Sequence, residues 1–73
     1  MKATDKLLVG FTMVDWTDHE FAAWLREKDP NWKINKLTEE WTQFITRGQV
    51  VAIVKYKNDY PVNRSIFIKA GTI

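Results

Sequence analysis

Apolar and polar positions alternate over residues 6–14, KLLVGFTMV, and predict a strand. Leu7, Val9, Phe11 and Met13 share one face; Leu8, Gly10, Thr12 and Val14 share the other. Gly10 marks a bulge or a close approach by another element. The period then changes. Over residues 15–28, Phe21, Trp24 and Leu25 fall at the spacing of one helix face. Thr17 is placed as an N-cap, and Glu20 three positions later completes a capping box. Trp16 before the cap and Phe21 after it have the spacing of a hydrophobic staple. Asp29-Pro30 ends the helix, because the residue before proline is pushed out of the helical region.

Residues 29–37, DPNWKINKL, are a polar connection holding Trp32 and Ile34. Residues 38–47, TEEWTQFITR, predict a second helix. Thr38 can cap it, and Glu39 and Glu40 suit the positive end of its dipole. Leu37, Trp41, Phe44 and Ile45 form its inward stripe, and Arg47-Gly48 is a helix exit. Residues 49–56, QVVAIVKY, are a β-branched run, apolar on both faces, which suits a central strand. Asn58, Asp59 and Pro61 make residues 57–63 a turn. Residues 64–70, RSIFIKA, are the last strand, with Ile66, Ile68 and Ala70 on one face and Phe67 and Lys69 on the other.

The expected architecture is a single α+β domain over residues 1–73, in the order β-α-α-β-β. Two amphipathic helices would pack on one face of a three-stranded sheet. The other face would carry some of Val51, Ile53, Phe67 and Leu8 together with Lys55, Lys57 and Lys69. Apolar residues mixed with lysines make that face a candidate binding surface; the plainer alternative is that lysine stems cover a thin second face. The first and third strands are the candidate edges for self-association, and a monomer is the expected state.

The chemistry available is sparse. The chain has no Cys, so there is neither a disulfide nor a thiolate nucleophile. His19 is the one histidine and Ser65 the one serine, and no base lies near Ser65 in sequence. Asp15, Asp18, His19 and Glu20 cluster, but carboxylates at a helix start complement its dipole, and neighbours in sequence do not share a helix face. Glu39 and Glu40 are adjacent and point apart, which is unsuited to paired acid–base work. Gly10, Gly48 and Gly71 are too scattered for a phosphate loop. The expectation is a protein that is not an enzyme, with no cofactor and no metal. No apolar run reaches the roughly 18 residues a membrane span needs. Asp5 flanks the N-terminal apolar run and no cleavage site follows, so a cytoplasmic location is expected.

Charge is unevenly spread. Residues 1–30 hold four basic and six acidic side chains, and residues 31–73 hold seven basic and three acidic ones. The basic half favours an acidic partner, protein or nucleic acid. Of the four tryptophans, Trp16, Trp24 and Trp41 have packing positions, whereas Trp32 lies in the polar connection beside Lys33 and Lys36. Tyr60 beside Pro61 is a second amphipathic aromatic at the hairpin tip. The candidate partner-binding residues are therefore Trp32, Lys33, Lys36, Lys55, Lys57, Tyr60, Arg64 and Lys69. Local packing under a loop is the plain alternative for both aromatics.

The first functional expectation is a protein-binding module that regulates a larger machine. The second is a nucleic-acid binder. It would be either a winged-helix variant reading with the 38–47 helix, or a sheet face that stacks and tracks single strands. Glu39 and Glu40 at the start of a reading helix would face phosphates, which counts against the winged helix. In size, lack of a catalytic set and aromatic richness, the chain resembles the small phage-encoded regulators that bind host RNA polymerase. The likeness covers the whole chain in general character, with no motif and no transferable residue. It implies a stoichiometric ligand of the host polymerase, acting in the host cytoplasm, with the basic half against an acidic patch.

Overall fold

A computed structural model describes residues 8–56 and 64–72. It contains one helix and five strands in the order β1 (Phe11–Val14), α1 (Asp18–Lys28), β2 (Lys33–Lys36), β3 (Trp41–Thr46), β4 (Gln49–Tyr56) and β5 (Arg64–Lys69). The strands form one sheet in the order β1-β5-β4-β3-β2, and every pairing is antiparallel. The expected three-stranded sheet with two helices is therefore wrong: the sheet has five strands and α1 is the single helix among the described residues.

Two segments account for the difference. Residues 38–47 contain β3 rather than a helix, and the polar connection before them contains β2. Thr38 makes the side-chain bond expected of a helix cap: its hydroxyl accepts from the amides of Glu40 at 3.2 Å and Trp41 at 3.1 Å. The bond closes a turn instead, and Leu37 and Thr38 both donate to the Trp41 carbonyl. Short hydroxyl-to-amide bonds of this kind serve turns as readily as helix starts. Beyond the turn, the Trp-Thr-Gln-Phe-Ile-Thr run is aromatic and β-branched, which suits a pleated surface. Arg47 and Gly48 have φ of 50° and 79°, so they form the two-residue hairpin turn of β3 and β4, in which both central residues are left-handed.

The helix start matches its local signals. Thr17 accepts from the Glu20 amide at 3.1 Å, and Glu20 accepts from the Thr17 amide at 2.8 Å. Trp16 packs on Phe21 with ring centroids 6.4 Å apart. The Thr17 backbone amide, and after it the Thr17 hydroxyl, hold the Glu20 carboxyl below the usual carboxylate range.

The chain leaves β1 at one sheet edge and re-enters as β2 at the other, so α1 must cross the sheet. Its 11 residues span about 16 Å, close to the roughly 19 Å width of five strands. Both ends are tied down. At the N-terminal end, Arg64 of β5 pairs with Asp18 at 2.7 Å and donates to the Trp16 carbonyl at 3.0 Å. At the C-terminal end, Asp29 accepts from the amides of Asn31 at 2.9 Å and Arg47 at 3.1 Å, joining the helix end to the β3–β4 turn.

Beneath the helix lies the main core: Phe21 and Leu25 against Phe44, Val51, Ala52, Val54, Ile66 and Ile68. Phe21 and Phe44 meet edge to face at 4.9 Å. The register between β3 and β4 shifts at Phe44/Ile45, where Phe44 opposes Ala52 and Ile45 opposes Val50. Val51 is the extra residue of this bulge and joins the helix-side core. It is not on the second face, where the sequence expectation put it.

The acid side of stability draws on Asp29 as well as on Glu20. The Asp29 carboxyl lies below the usual range, first because of the Asn31 amide and then because of the Arg47 amide. A lowered folded-state pKa stabilises above the unfolded-state value and is lost as pH falls through the folded one. Asp29→Asn is therefore expected to lower the melting temperature near neutrality and to flatten its fall below about pH 4. Thermal melts of both proteins across that range check this; parallel pH profiles would contradict it.

Candidate functional site

The ladders divide the strand residues between two faces. Thr12, Val14, Ile66, Ile68, Ala52, Val54 and Phe44 lie on the helix side. Phe11, Met13, Phe67, Lys69, Ile53, Lys55, Trp41, Gln43, Ile45, Lys33 and Asn35 lie on the opposite side. No described helix or strand packs on that second face.

It nevertheless carries an apolar ridge across the strands. Met13, Phe67, Ile53 and Gln43 are successive cross-strand neighbours. Ile53 is only 1% exposed and Trp41 7%, although neither belongs to the core under the helix. The Trp41 and Phe67 rings are 6.4 Å apart, and the Lys55 Nζ sits 5.5 Å from the Trp41 ring centroid. Cation–π attraction of this kind is worth about 0.5–1 kcal/mol at a surface. At the β1 edge Met13 is 62% exposed. On the β2 side, Asn35 donates to Gln43 at 3.0 Å, a polar margin to the ridge.

Among the strand residues described, the charge on this face has one sign. Its ionisable strand residues are Lys33, Lys55 and Lys69. No strand contains an Asp or Glu; the described carboxylates belong to α1 and the connections. The strands of this face therefore present ammonium groups and no carboxylate, and Asp15 directly follows β1.

The eight candidate residues are dispersed by this geometry. Lys33, Lys55 and Lys69 share the second face, the one opposite the helix. Lys36 is on the helix side of β2, opposite Thr42. Arg64 is also on the helix side and is engaged with Asp18 and the Trp16 carbonyl. Trp32 is half-buried, its ring 5.8 Å from Phe44, so it seals the helix-side core beside the helix end. That is the packing role that local sequence rules did not supply. Lys57 and Tyr60 lie outside the described residues.

Trp41, Gln43 and Ile45 were missed as residues of the second sheet face. The available signal was the alternation of Trp41, Gln43 and Ile45 against Thr42, Phe44 and Thr46, which a helical period concealed. Of the four residues of the 38–47 stripe, Phe44 alone enters the core under the helix. Leu8 lies in the turn before β1 rather than on a strand.

Among the described residues, no three His, Cys, Asp or Glu side chains are grouped to hold a metal ion. No described helix is long and apolar enough to cross a membrane. Comparison with known proteins found no matching family model, no significantly similar curated protein and no significantly similar solved structure.

Proposed function

We propose that this protein is a small non-enzymatic binding module that docks a larger protein through the sheet face opposite its helix. The observation that carries this is the set of Lys33, Lys55 and Lys69 on the face opposite the helix, with no carboxylate in any strand and with Met13 62% exposed at the β1 edge. Such a surface suits an apolar patch with an acidic rim: burial supplies affinity, and the lysines supply orientation and encounter rate.

A second reading, single-strand nucleic-acid binding, is favoured by the same lysines together with Phe67. The rings argue against it. Stacking needs a bare aromatic face. Trp41 is buried beneath Lys55, Phe67 is half-buried, and the exposed large apolar residues are aliphatic: Val9, Met13, Ile34 and Leu37. The winged-helix version is excluded, because the segment that would read the groove is β3.

For the partner we propose bacterial RNA polymerase. The support is the general character of the chain, namely small size, no catalytic set and abundant aromatics, joined to a cationic docking face. The test is retention of purified polymerase, and separately of mixed DNA and RNA, on immobilised protein over a salt series. Polymerase is expected to be retained with shallow salt dependence, and nucleic acid to pass through. Retention of nucleic acid with a steep log-linear salt slope would replace this reading with the second one. Loss of polymerase with no other protein retained from lysate would remove both partner and class.

A further inference from the structure

The two sheet edges are differently defended. The β2 edge is a Lys-Ile-Asn-Lys strand, with a lysine on each face of the sheet. Lysines on an edge strand oppose addition of another strand. The β1 edge, Phe-Thr-Met-Val, has no charge and no proline. The third strand expected from the sequence as an edge is β5, which is enclosed between β1 and β4.

Which backbone groups of β1 face outward follows from one bond. The Ala70 amide donates to the Gly10 carbonyl at 2.7 Å, and Gly10 opposite Ala70 continues the Phe11–Lys69 register. Opposed pairs in an antiparallel ladder alternate between bonded and non-bonded. Thr12 and Val14 therefore turn their N–H and C=O toward β5, while Phe11 and Met13 turn theirs to the free edge. The Phe11 amide is occupied by the Leu8 carbonyl at 3.0 Å. The Met13 N–H and C=O and the Phe11 C=O remain pointed outward with no described strand beyond them.

We propose that β1 pairs antiparallel with β1 of a second copy about a twofold axis through Met13. This pairing shares Lys69 with the partner reading above, but its test reads self-association of the purified protein alone. In that register each Met13 amide bonds the other copy's Met13 carbonyl, and the two Met13 residues, 62% exposed in the single chain, cover each other. Charge selects this register and a second copy as the occupant. Phe11 of one copy then lies opposite Asp15 of the other, with Lys69 beside Phe11 on the same face. Asp15 directly follows β1 and lines a shallow cleft with Met13 and Ser65; this pairing takes it as the next residue of the strand. Lys69 and the other copy's Asp15 stand two strands apart, about 10 Å between backbones, which a lysine stem bridges. The axis repeats this pair at the other end of the edge. A register centred on Thr12 instead sets Asp15 against Val9 and leaves Lys69 among apolar groups. Pairing through Met13 keeps both helices on one side and joins the two faces opposite them into one ten-stranded surface, doubled from five strands.

Analytical ultracentrifugation over micromolar to millimolar concentrations tests this. The mass is expected to rise from the 8.6 kDa monomer toward twice that value, and the Met13 amide to exchange more slowly as concentration rises. Asp15→Lys alone and Lys69→Glu alone should each weaken association roughly tenfold, since two pairs per dimer become repulsive, and the double variant should restore it. Ile34→Lys on the β2 edge should change nothing. A wild-type chain that stays monomeric, or a charge swap that fails to restore association in a folded double variant, would overturn the proposal.

Discussion

Phe44→Ala is expected to leave the domain largely unfolded at room temperature. Phe44 is the residue on which the helix-side core converges: Phe21 meets its ring at 4.9 Å, Trp32 at 5.8 Å, and Ile34 and Ala52 flank it across the ladders. Truncating a buried Phe costs about 3–5 kcal/mol, as lost transfer energy plus the cavity left behind. A domain of this length has a net stability of roughly 3–5 kcal/mol from one core. The two magnitudes are equal, so this single change removes the margin. The surrounding residues cannot collapse into the gap, because Ala52 is already small and α1 is held at both ends by Arg64 and Asp29. Urea unfolding followed by tryptophan fluorescence checks this. A loss below about 1 kcal/mol would show that the helix does not rest on β3 as described.

The same residue shows what the sequence made legible and what it concealed. The helix start was legible because its signals are local: Thr17, Glu20, Trp16 and Phe21 fix one another within a few residues. Strand β4 was legible because its β-branched run suits little else. Residues 38–47 were not, because both candidate structures share their opening bond at Thr38, and Leu37, Trp41, Phe44 and Ile45 fit a helical stripe as well as two sheet faces. What decides between them is tertiary: Phe44 pairs with Ala52 and Ile34, contacts that no local window contains. Arg47-Gly48 had a similar ambiguity, since a left-handed glycine ends helices and also closes hairpins. The candidate surface was half legible. Lys55, Lys69, Ile53 and Phe67 do share a face, as strand alternation required. Lys33 joined them only once β2 was found, and Trp32 and Arg64 turned to structural roles on the opposite side.

Reversing the charge of the face opposite the helix is expected to abolish partner binding while the fold persists. Lys33 and Lys69 are exposed, and Lys55 contributes to the fold mainly through its position over Trp41. Replacing all three with Glu therefore costs little stability, about 0.5–1 kcal/mol from the lost cation–π contact. Binding should fall by at least about a hundredfold, because three attractive contacts with an acidic rim become repulsive at once. The matched control reverses Arg26, Lys28 and Lys36. It has the same net charge, it also removes a lysine placed over a tryptophan, Lys28 at 5.6 Å from the Trp24 ring, and all three residues lie off that face.

The decisive measurement is partner retention from bacterial lysate on wild-type protein, the Lys33/Lys55/Lys69→Glu variant and the Arg26/Lys28/Lys36→Glu control, each shown to be folded by near-UV circular dichroism. Wild type and control should retain the same protein, and the face variant should lose it. Equal retention by the face variant, or its loss from the control alone, would contradict docking through the sheet face opposite the helix.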